Sequence, residues 1–314
     1  MSEQKLDSMR KGLGVAIQEL GAKNIDIVVV GADTTESVHL DLFGKDFPDR
    51  FFNVGIAEQN MIGIAAGLAF GGKTVFCGTY MVFMERAIDQ IRNTIGYCGL
   101  DVKLIGAHTG LSVGPDGGSH QTIEDIAIMR AIPKFRVVAP CDAPSAKAIA
   151  KQAAETRGPF YIRIVRPDSM NVYADPADDF KIGKANVLRE GKDVSIIACG
   201  IMVQEALKAA DKLATSGVSA SVIDCHTIKP IDEDAIVRAA SSTGRIVTAE
   251  DHNVMGGLGS AVAEVLSRKR PTPMSIVGVR DTFGESGGQP ELMAKYGISS
   301  DSIFEEAKRL VKTQ

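Results

Sequence analysis

The sequence predicts an α/β protein of two domains, each a mostly parallel sheet with helices on both faces. Three observations carry this. Short β-rich runs alternate with longer helical patterns along the chain, and the alternation stops once at a polar stretch before it restarts. The chain has 314 residues, enough for two domains at roughly 150 residues each.

The first domain is expected over residues 1–170. Asp26–Val30 is a buried-strand run that ends in Gly31, and Phe51–Val54 is a second short strand. Glu58–Phe70 is small and apolar throughout, the composition of a helix packed on several sides. Thr74–Cys77 and Val102–Ala107 read as strands, with a helix over Met84–Tyr97 between them. Arg136–Ala139 and Phe160–Val165 complete the set around a helix at Ala143–Thr156. Strands that alternate with helices pair in parallel and are covered on both faces.

Asp168 to Gly191 breaks the pattern: it is polar and holds Pro176 and the acidic Asp175–Asp179 stretch, which places a linker at 171–190. A second, smaller domain is expected over 191–314. Its elements are strand Val194–Ala198, helix Val203–Ser216, strand Ala220–Ile223, helix Asp232–Ser242, strand Arg245–Ala249 and helix Gly259–Ser267.

Composition excludes several classes. The chain is 45% hydrophobic and 24% charged, as in soluble globular proteins. A net charge of -4 argues against a nucleic-acid surface, which needs a basic excess, whereas a few placed arginines still suffice for small anions. The five cysteines form no C-x-x-C pair, and reduced thiols in a cytoplasmic protein are expected. Met1–Gly12 has no signal-peptide core, and no apolar run reaches the ~18 residues of a membrane span. The histidines lack an H-x-x-x-H spacing, so no metal site is expected in this chain. His226 and His252 read as satisfied interior or surface residues.

Two glycine motifs mislead. Gly67-Leu-Ala-Phe-Gly-Gly72-Lys73-Thr74 fits the Walker A pattern, yet that motif needs a strand before it and a helix after it. Here a helix runs in and a strand runs out, so Gly71-Gly72 reads as a helix C-cap. Gly256-Gly257-Leu258-Gly259 resembles a dinucleotide loop but is no full G-x-G-x-x-G, and a tight strand-to-helix turn is expected.

Three segments place polar residues among glycine-rich, apolar neighbours. In Asn53-Val-Gly-Ile-Ala-Glu58-Gln-Asn60-Met61 a carboxylate opens an apolar helix. It is either a residue that complements the helix N-terminus or a buried proton partner. Gly78-Thr79-Tyr80-Met81-Val82-Phe83-Met84-Glu85-Arg86 puts aromatics at the end of a strand, where they serve core packing or a ligand. His108-Thr-Gly-Leu-Ser-Val-Gly-Pro-Asp116-Gly-Gly-Ser-His120-Gln121 sets two histidines and an aspartate on a loop directly after a buried strand. Packing does not explain so polar a loop, which points to a site.

These strings resemble one family. Val54-Gly-Ile-Ala-Glu58-Gln-Asn-Met61 is similar to the catalytic-glutamate motif of transketolases, and Ser112-Val-Gly-Pro-Asp116-Gly-Gly-Ser-His120-Gln to their substrate loop. Asp281-Thr-Phe-Gly-Glu-Ser-Gly287 resembles the signature of their C-terminal domain, and the match runs in register from Met9 to about Tyr296.

The resemblance implies thiamine diphosphate as cofactor, gripped by two domains. The diphosphate-side domain of the family carries a Gly-Asp-Gly metal motif that this chain lacks. The chain therefore resembles the C-terminal subunit of a split, two-subunit transketolase. An N-terminal partner subunit is expected to hold the diphosphate and Mg²⁺, in an α2β2 assembly acting on sugar phosphates.

By the same resemblance, Glu58 hydrogen-bonds the aminopyrimidine and helps activate the cofactor, and His108 is catalytic. Asp33, Tyr80, Phe83 and His120 lie at the cofactor. Arg10, Ser37 and Arg166 contact phosphate, and His108 and Asp116 contact sugar hydroxyls. One departure is Arg86, where many family members carry an aromatic. Deoxyxylulose-phosphate synthases and the beta subunits of 2-oxoacid dehydrogenases also lack that aromatic and stand as alternatives. A non-catalytic assembly subunit is a third alternative, against which the retained Glu58, His108 and Asp116 argue.

Overall fold

The computed structural model describes residues 6–174, 177 and 180–312. Met1–Lys5 and four residues of the acidic stretch expected in the linker (Asp175, Pro176, Asp178 and Asp179) lie outside them. The chain divides into two compact units, one of residues 1–109 with 129–180 and the other of 110–128 with 181–314. Residues 110–128, within the span expected for the first domain, thus group with the second unit.

The first unit contains β1 (Leu6–Asp7), β2 (Ile27–Gly31), β3 (Phe51–Asn53), β4 (Thr74–Tyr80), β5 (Val102–Ala107), β6 (Arg136–Val138), β7 (Phe160–Arg163) and β8 (Ser169–Met170). Six of these run in the order β6-β7-β5-β4-β2-β3, and every pairing among them is parallel. Strands β2, β5 and β7 are buried along their whole length. That is the mark of a sheet covered on both faces, and it explains why these runs are mostly apolar rather than alternating, with Lys103 and Arg163 buried among them. β1 and β8 form a short antiparallel pair.

Helix Met9–Lys23 packs on helix Ala143–Glu155. Its buried positions include Met9, Leu13, Ala16 and Ile17, a stripe at helical spacing. Gly12 makes the approach close, since a Cβ there would lie 2.8 Å from Ala143 O. No element is expected over this helix from the sequence, because its apolar stripe is narrow. The helix expected over Met84–Tyr97 begins earlier and is irregular: helix Met81–Met84, a 3₁₀ turn Glu85–Ala87, helix Ile88–Gln90 and a π turn Ile91–Gly96. π turns of this kind occur mostly inside helices near functional sites.

The second unit contains β9 (Asn186–Arg189), β10 (Val194–Ala198), β11 (Ala220–Asp224), β12 (Thr227–Lys229), β13 (Ile246–Asn253) and β14 (Met274–Val279). Its five-stranded sheet has the order β14-β13-β10-β11-β9, parallel except for β9. Helices Met202–Thr215 and Ser300–Lys312 pack as one pair, and Glu233–Thr243 and Leu258–Lys269 as another. The expected strand Arg245–Ala249 extends through Glu250-Asp251-His252 to Asn253, with all but the last residue buried. All five cysteines are free, and Cys98 is the exposed one. Among the described residues no helix is long and apolar enough to cross a membrane.

Candidate active site

The first unit gathers its polar residues at the carboxyl ends of its strands, the edge where open parallel sheets bind ligands. Asp33 follows β2, Glu58 follows β3, Tyr80 closes β4 with Phe83 beyond it, His108 follows β5 and Arg166 follows β7. Because these five strands are neighbours in the sheet, residues far apart in sequence share one edge.

Glu58 opens the helix Glu58–Phe70, whose cap residue Ala57 contributes no side-chain hydrogen bond. The carboxylate suits the positive end of the helix, yet it is only 3% exposed and its Oε2 accepts no hydrogen bond among the described residues. A buried acceptor left without a donor costs about 1–3 kcal/mol, so capping alone does not account for it. It lines a cavity of ≈ 560 Å³ with Asp33, Thr34, Ile56, Val82, Phe83 and Arg86. Arg86, which lines the same cavity, brings Nη1 to 3.8 Å from Glu58 Oε2.

The aromatics expected at the end of β4 form a stack. Tyr80 lies parallel to Phe83 (centroids 5.3 Å apart, 2° between planes) and to the buried His108 ring (3.7 Å, 12°). His108 and Asp33 both have left-handed backbone, with φ of 55° and 60°. Non-glycine residues held there carry strain that clusters at functional sites. The Asp33 N–H donates to Asn53 Oδ1 (3.0 Å), which ties the end of β2 to the end of β3, and Thr34 shares a 2.9 Å hydrogen bond with Thr79.

Arg10 lies in helix Met9–Lys23, Ser37 in the short helix Thr35–Val38 after β2, and Arg166 three residues past the end of β7. Arg10 Nη1 donates to Ser37 O at 2.8 Å, while its buried Nε donates to nothing among the described residues. Burial lowers the Arg10 pKa, Asp168 and Tyr80 oppose that, and Arg166 adds to it. Burial and then Arg10 likewise lower the His39 pKa. An arginine with an unused buried donor, close enough to a second guanidinium to feel its charge, has the chemistry to hold an anion. Asp168, His39 and Thr34 were not singled out in sequence. The run Arg166-Pro-Asp168, with both charges directly after a strand, was the available signal for one of them.

Asp116 and His120 belong to the second unit, on a loop built from its own contacts. His120 Nδ1 is 3.0 Å from Ser119 Oγ. Gln121 Nε2 donates to Leu111 O, Gly114 O and Glu285 O at 3.4, 3.2 and 3.0 Å. The glycine turn Gly284-Glu-Ser-Gly-Gly288 therefore braces this loop: a Cβ at Gly284 would collide with Gln121 Oε1.

Both glycine decoys resolve as expected. Gly71 N and Gly72 N donate to Gly67 O and Ala69 O at the end of the helix, Gly72 has φ 92°, and β4 follows. The turn Gly256–Gly259 leads into a helix whose first amides are already taken. Leu258 N and Gly259 N donate to the two oxygens of the buried Glu250 at 2.7 and 2.8 Å. His252 is an interior residue fixed by Asn253 O at 2.6 Å.

The chain matches the family "Transketolase, pyrimidine binding domain" over residues 7–170 and "Transketolase, C-terminal domain" over 183–303. It is 46% identical over 307 residues to a "Putative transketolase C-terminal section" of Methanocaldococcus jannaschii, covering 97% of this chain and 95% of that one. It is 42% identical to a "6-deoxy-6-sulfo-D-fructose transketolase subunit SqwH" of Clostridium sp. (94% and 91% covered). Against the transketolase of Mus musculus it is 38% identical, spanning 96% of this chain and 49% of that one. A solved structure described as "Split gene transketolase, inactive beta4 tetramer" superposes with a TM-score of 0.91 at 46% identity, covering 97% of this chain and 98% of that one. With both halves of the fold matched in register, the chain belongs to the transketolase family and corresponds to the C-terminal part of a split transketolase.

Proposed function

We propose that this chain is the pyrimidine-side subunit of a transketolase that moves a two-carbon ketol unit from a ketose phosphate to an aldose phosphate. The observation that carries the reading is Glu58. A carboxylate oxygen is buried without a hydrogen-bond donor and faces a cavity walled by Phe83. The family implies thiamine diphosphate, and the residues fit it. An aminopyrimidine offers a flat face to Phe83, whose ring lies parallel to Tyr80, and a ring nitrogen to Glu58. When bound, thiamine diphosphate supplies a nucleophilic carbon able to carry the two-carbon unit.

The chain's own residues divide the remaining work. Glu58 holds a proton in a hydrogen bond at the pyrimidine nitrogen, and Asp33 and His120 contribute to cofactor binding. Arg10, Ser37 and Arg166 bind the sugar phosphate, the unused Arg10 Nε being the donor left for it. His108 and Asp116 contact substrate hydroxyls, where His108 moves protons as the bond is made or broken.

A partner subunit supplies the diphosphate and Mg²⁺ site, since this chain contains no Gly-Asp-Gly. The solved relative described as an inactive beta4 tetramer supports the need for that partner, and an α2β2 assembly is expected. Relatives named for 6-deoxy-6-sulfo-D-fructose and for apulose-4-phosphate make the sugar itself the variable to screen.

The test is ketol transfer from xylulose 5-phosphate to ribose 5-phosphate with thiamine diphosphate and Mg²⁺, using this chain alone and then mixed with its partner. Activity in the mixture alone, lost in Glu58→Ala, supports the reading. A correctly assembled mixture inactive on every sugar phosphate would overturn it in favour of 2-oxo acids.

A further inference from the structure

The strand β13 ends in four polar residues, Glu250-Asp251-His252-Asn253, and three of them grip the segment 110–128. Asp251, 2% exposed, accepts from Leu111 N (Oδ1, 2.8 Å) and from Ser112 N (Oδ2, 3.2 Å). Asn253 N donates to Ile123 O at 2.8 Å, and Ala127 N lies 3.4 Å from His252 Nε2. Gly110 has φ 77°, and a Cβ there would collide with the Asp251 carboxylate. The approach is thus tight from both sides: the loop needs a glycine and the strand needs a short acid. Two adjacent amides on one ionised carboxylate are charge-assisted bonds, about twice as strong as neutral ones. Glu250, one residue earlier, points its carboxylate at the helix beginning with Leu258 instead, so of these two neighbouring carboxylates Asp251 is the one that serves the loop entrance.

We infer that Asp251 is a positioning residue for the sugar substrate, setting from the second unit the path of the loop that carries Asp116 and His120. The inference rests on the transketolase reading only for what the loop binds; the anchor itself rests on the geometry. It gives the C-terminal unit a task beyond assembly. Loops that contact substrate must be held by buried groups to work at sub-ångström tolerance, and here the holding group comes from a strand more than a hundred residues downstream.

The experiment uses the full chain with Asp251→Ala, Asp251→Asn and Gly110→Ala, read in two ways. Amide hydrogen exchange on the chain alone compares residues 110–116 with β10 and β11, which report folding. Steady-state ketol transfer in the assembled enzyme compares the KM for the sugar phosphates with the half-saturating concentration of thiamine diphosphate. Asp251→Ala and Gly110→Ala are expected to speed exchange in 110–116 about tenfold or more with β10 and β11 unchanged. They are expected to raise the sugar KM by about the same factor, with a smaller rise in the half-saturating thiamine diphosphate concentration through His120. Asp251→Asn, which keeps one acceptor oxygen, should recover part of both. Unchanged exchange in the loop, or a sugar KM that rises no more than the cofactor constant, would overturn the proposal. If the wild-type assembly transfers no ketol group, the sugar reading fails, and the exchange data still decide whether Asp251 holds the loop. Should Asp251→Ala unfold β10 and β11, Asp251→Asn and Gly110→Ala decide instead.

Discussion

The Arg86 guanidinium lies 3.8 Å from Glu58 Oε2, across the mouth of the cavity that Glu58 lines. The side chain is 66% exposed, against 4% for the glutamate, so solvent screens the pair from one side only. A long, exposed arginine contributes no more than about 1 kcal/mol through such a bridge. Glu58 is thus held by a partner that can leave easily.

Arg86→Ala is therefore expected to change unfolding free energy by less than about 1 kcal/mol, measured by urea denaturation. Glu58→Gln should also fold, since it retains the shape and removes a buried charge. In the assembled enzyme it should lower ketol transfer by about 10²–10⁴-fold, the worth of a positioned proton partner. An active Glu58→Gln enzyme would remove the glutamate from the chemistry.

Arg10→Lys should raise the KM for phosphorylated sugars by roughly tenfold or more, the loss of one charge-assisted donor. The reason is geometric: Arg10 Nη1 is already committed to Ser37 O while Nε is buried and unused, and a lysine cannot serve both. Steady-state kinetics with a phosphorylated and an unphosphorylated acceptor check this, because only the former should respond.

Lys103 is fully buried at the start of β5, where its ammonium donates to Asp101 Oδ1, Thr156 O and Gly158 O. Lys103→Met strands all three acceptors and should cost about 2–4 kcal/mol. Burial pulls the lysine down to about 8 from 10.5, against the opposing pull of Asp101. Between those values the unfolded chain binds more protons, so this group adds stability as pH rises from 8 to 10.5. The variant should lack that rise in a pH series of denaturation curves.

His226, buried beyond β11, is pushed down to about 3 from 6.5 by burial, with Asp232 acting the other way. The folded imidazole stays neutral while the unfolded one takes up a proton below 6.5. Stability therefore falls as pH drops from 6.5 towards 3, by at most about 1.4 kcal/mol per pH unit, and is flat above that window. His226→Gln should flatten the acid limb when thermal stability is followed from pH 7 to 4.

Much of the sheet was legible because strands buried on both faces must be mostly apolar. Ile27–Gly31, Val102–Ala107 and Val194–Ala198 announce themselves for that reason. The Walker-like string was correctly dismissed from element order alone, since a helix C-cap and a phosphate loop use glycine on opposite sides of a helix. The breaks at Glu85–Ala87 and Ile91–Gly96 were not legible, because no proline or glycine marks where they begin. Strand β13 was cut short at Ala249, because Glu250-Asp251-His252 looks like a loop until its buried partners are seen.

By itself, then, the sequence determined the alternating α/β architecture and, through the motifs around Glu58 and Asp116, the family. Both are written locally, in periodicity and in short strings. The tertiary structure alone decided which groups meet. It stacks Tyr80 on His108 and turns Arg10 towards Ser37 with one donor to spare. It also hands the loop 110–128 to the C-terminal unit through Asp251. The physical reason is one of range: helix and strand patterns follow from neighbours a few residues apart, whereas the partner of a buried polar group is fixed only when strand order brings distant segments together.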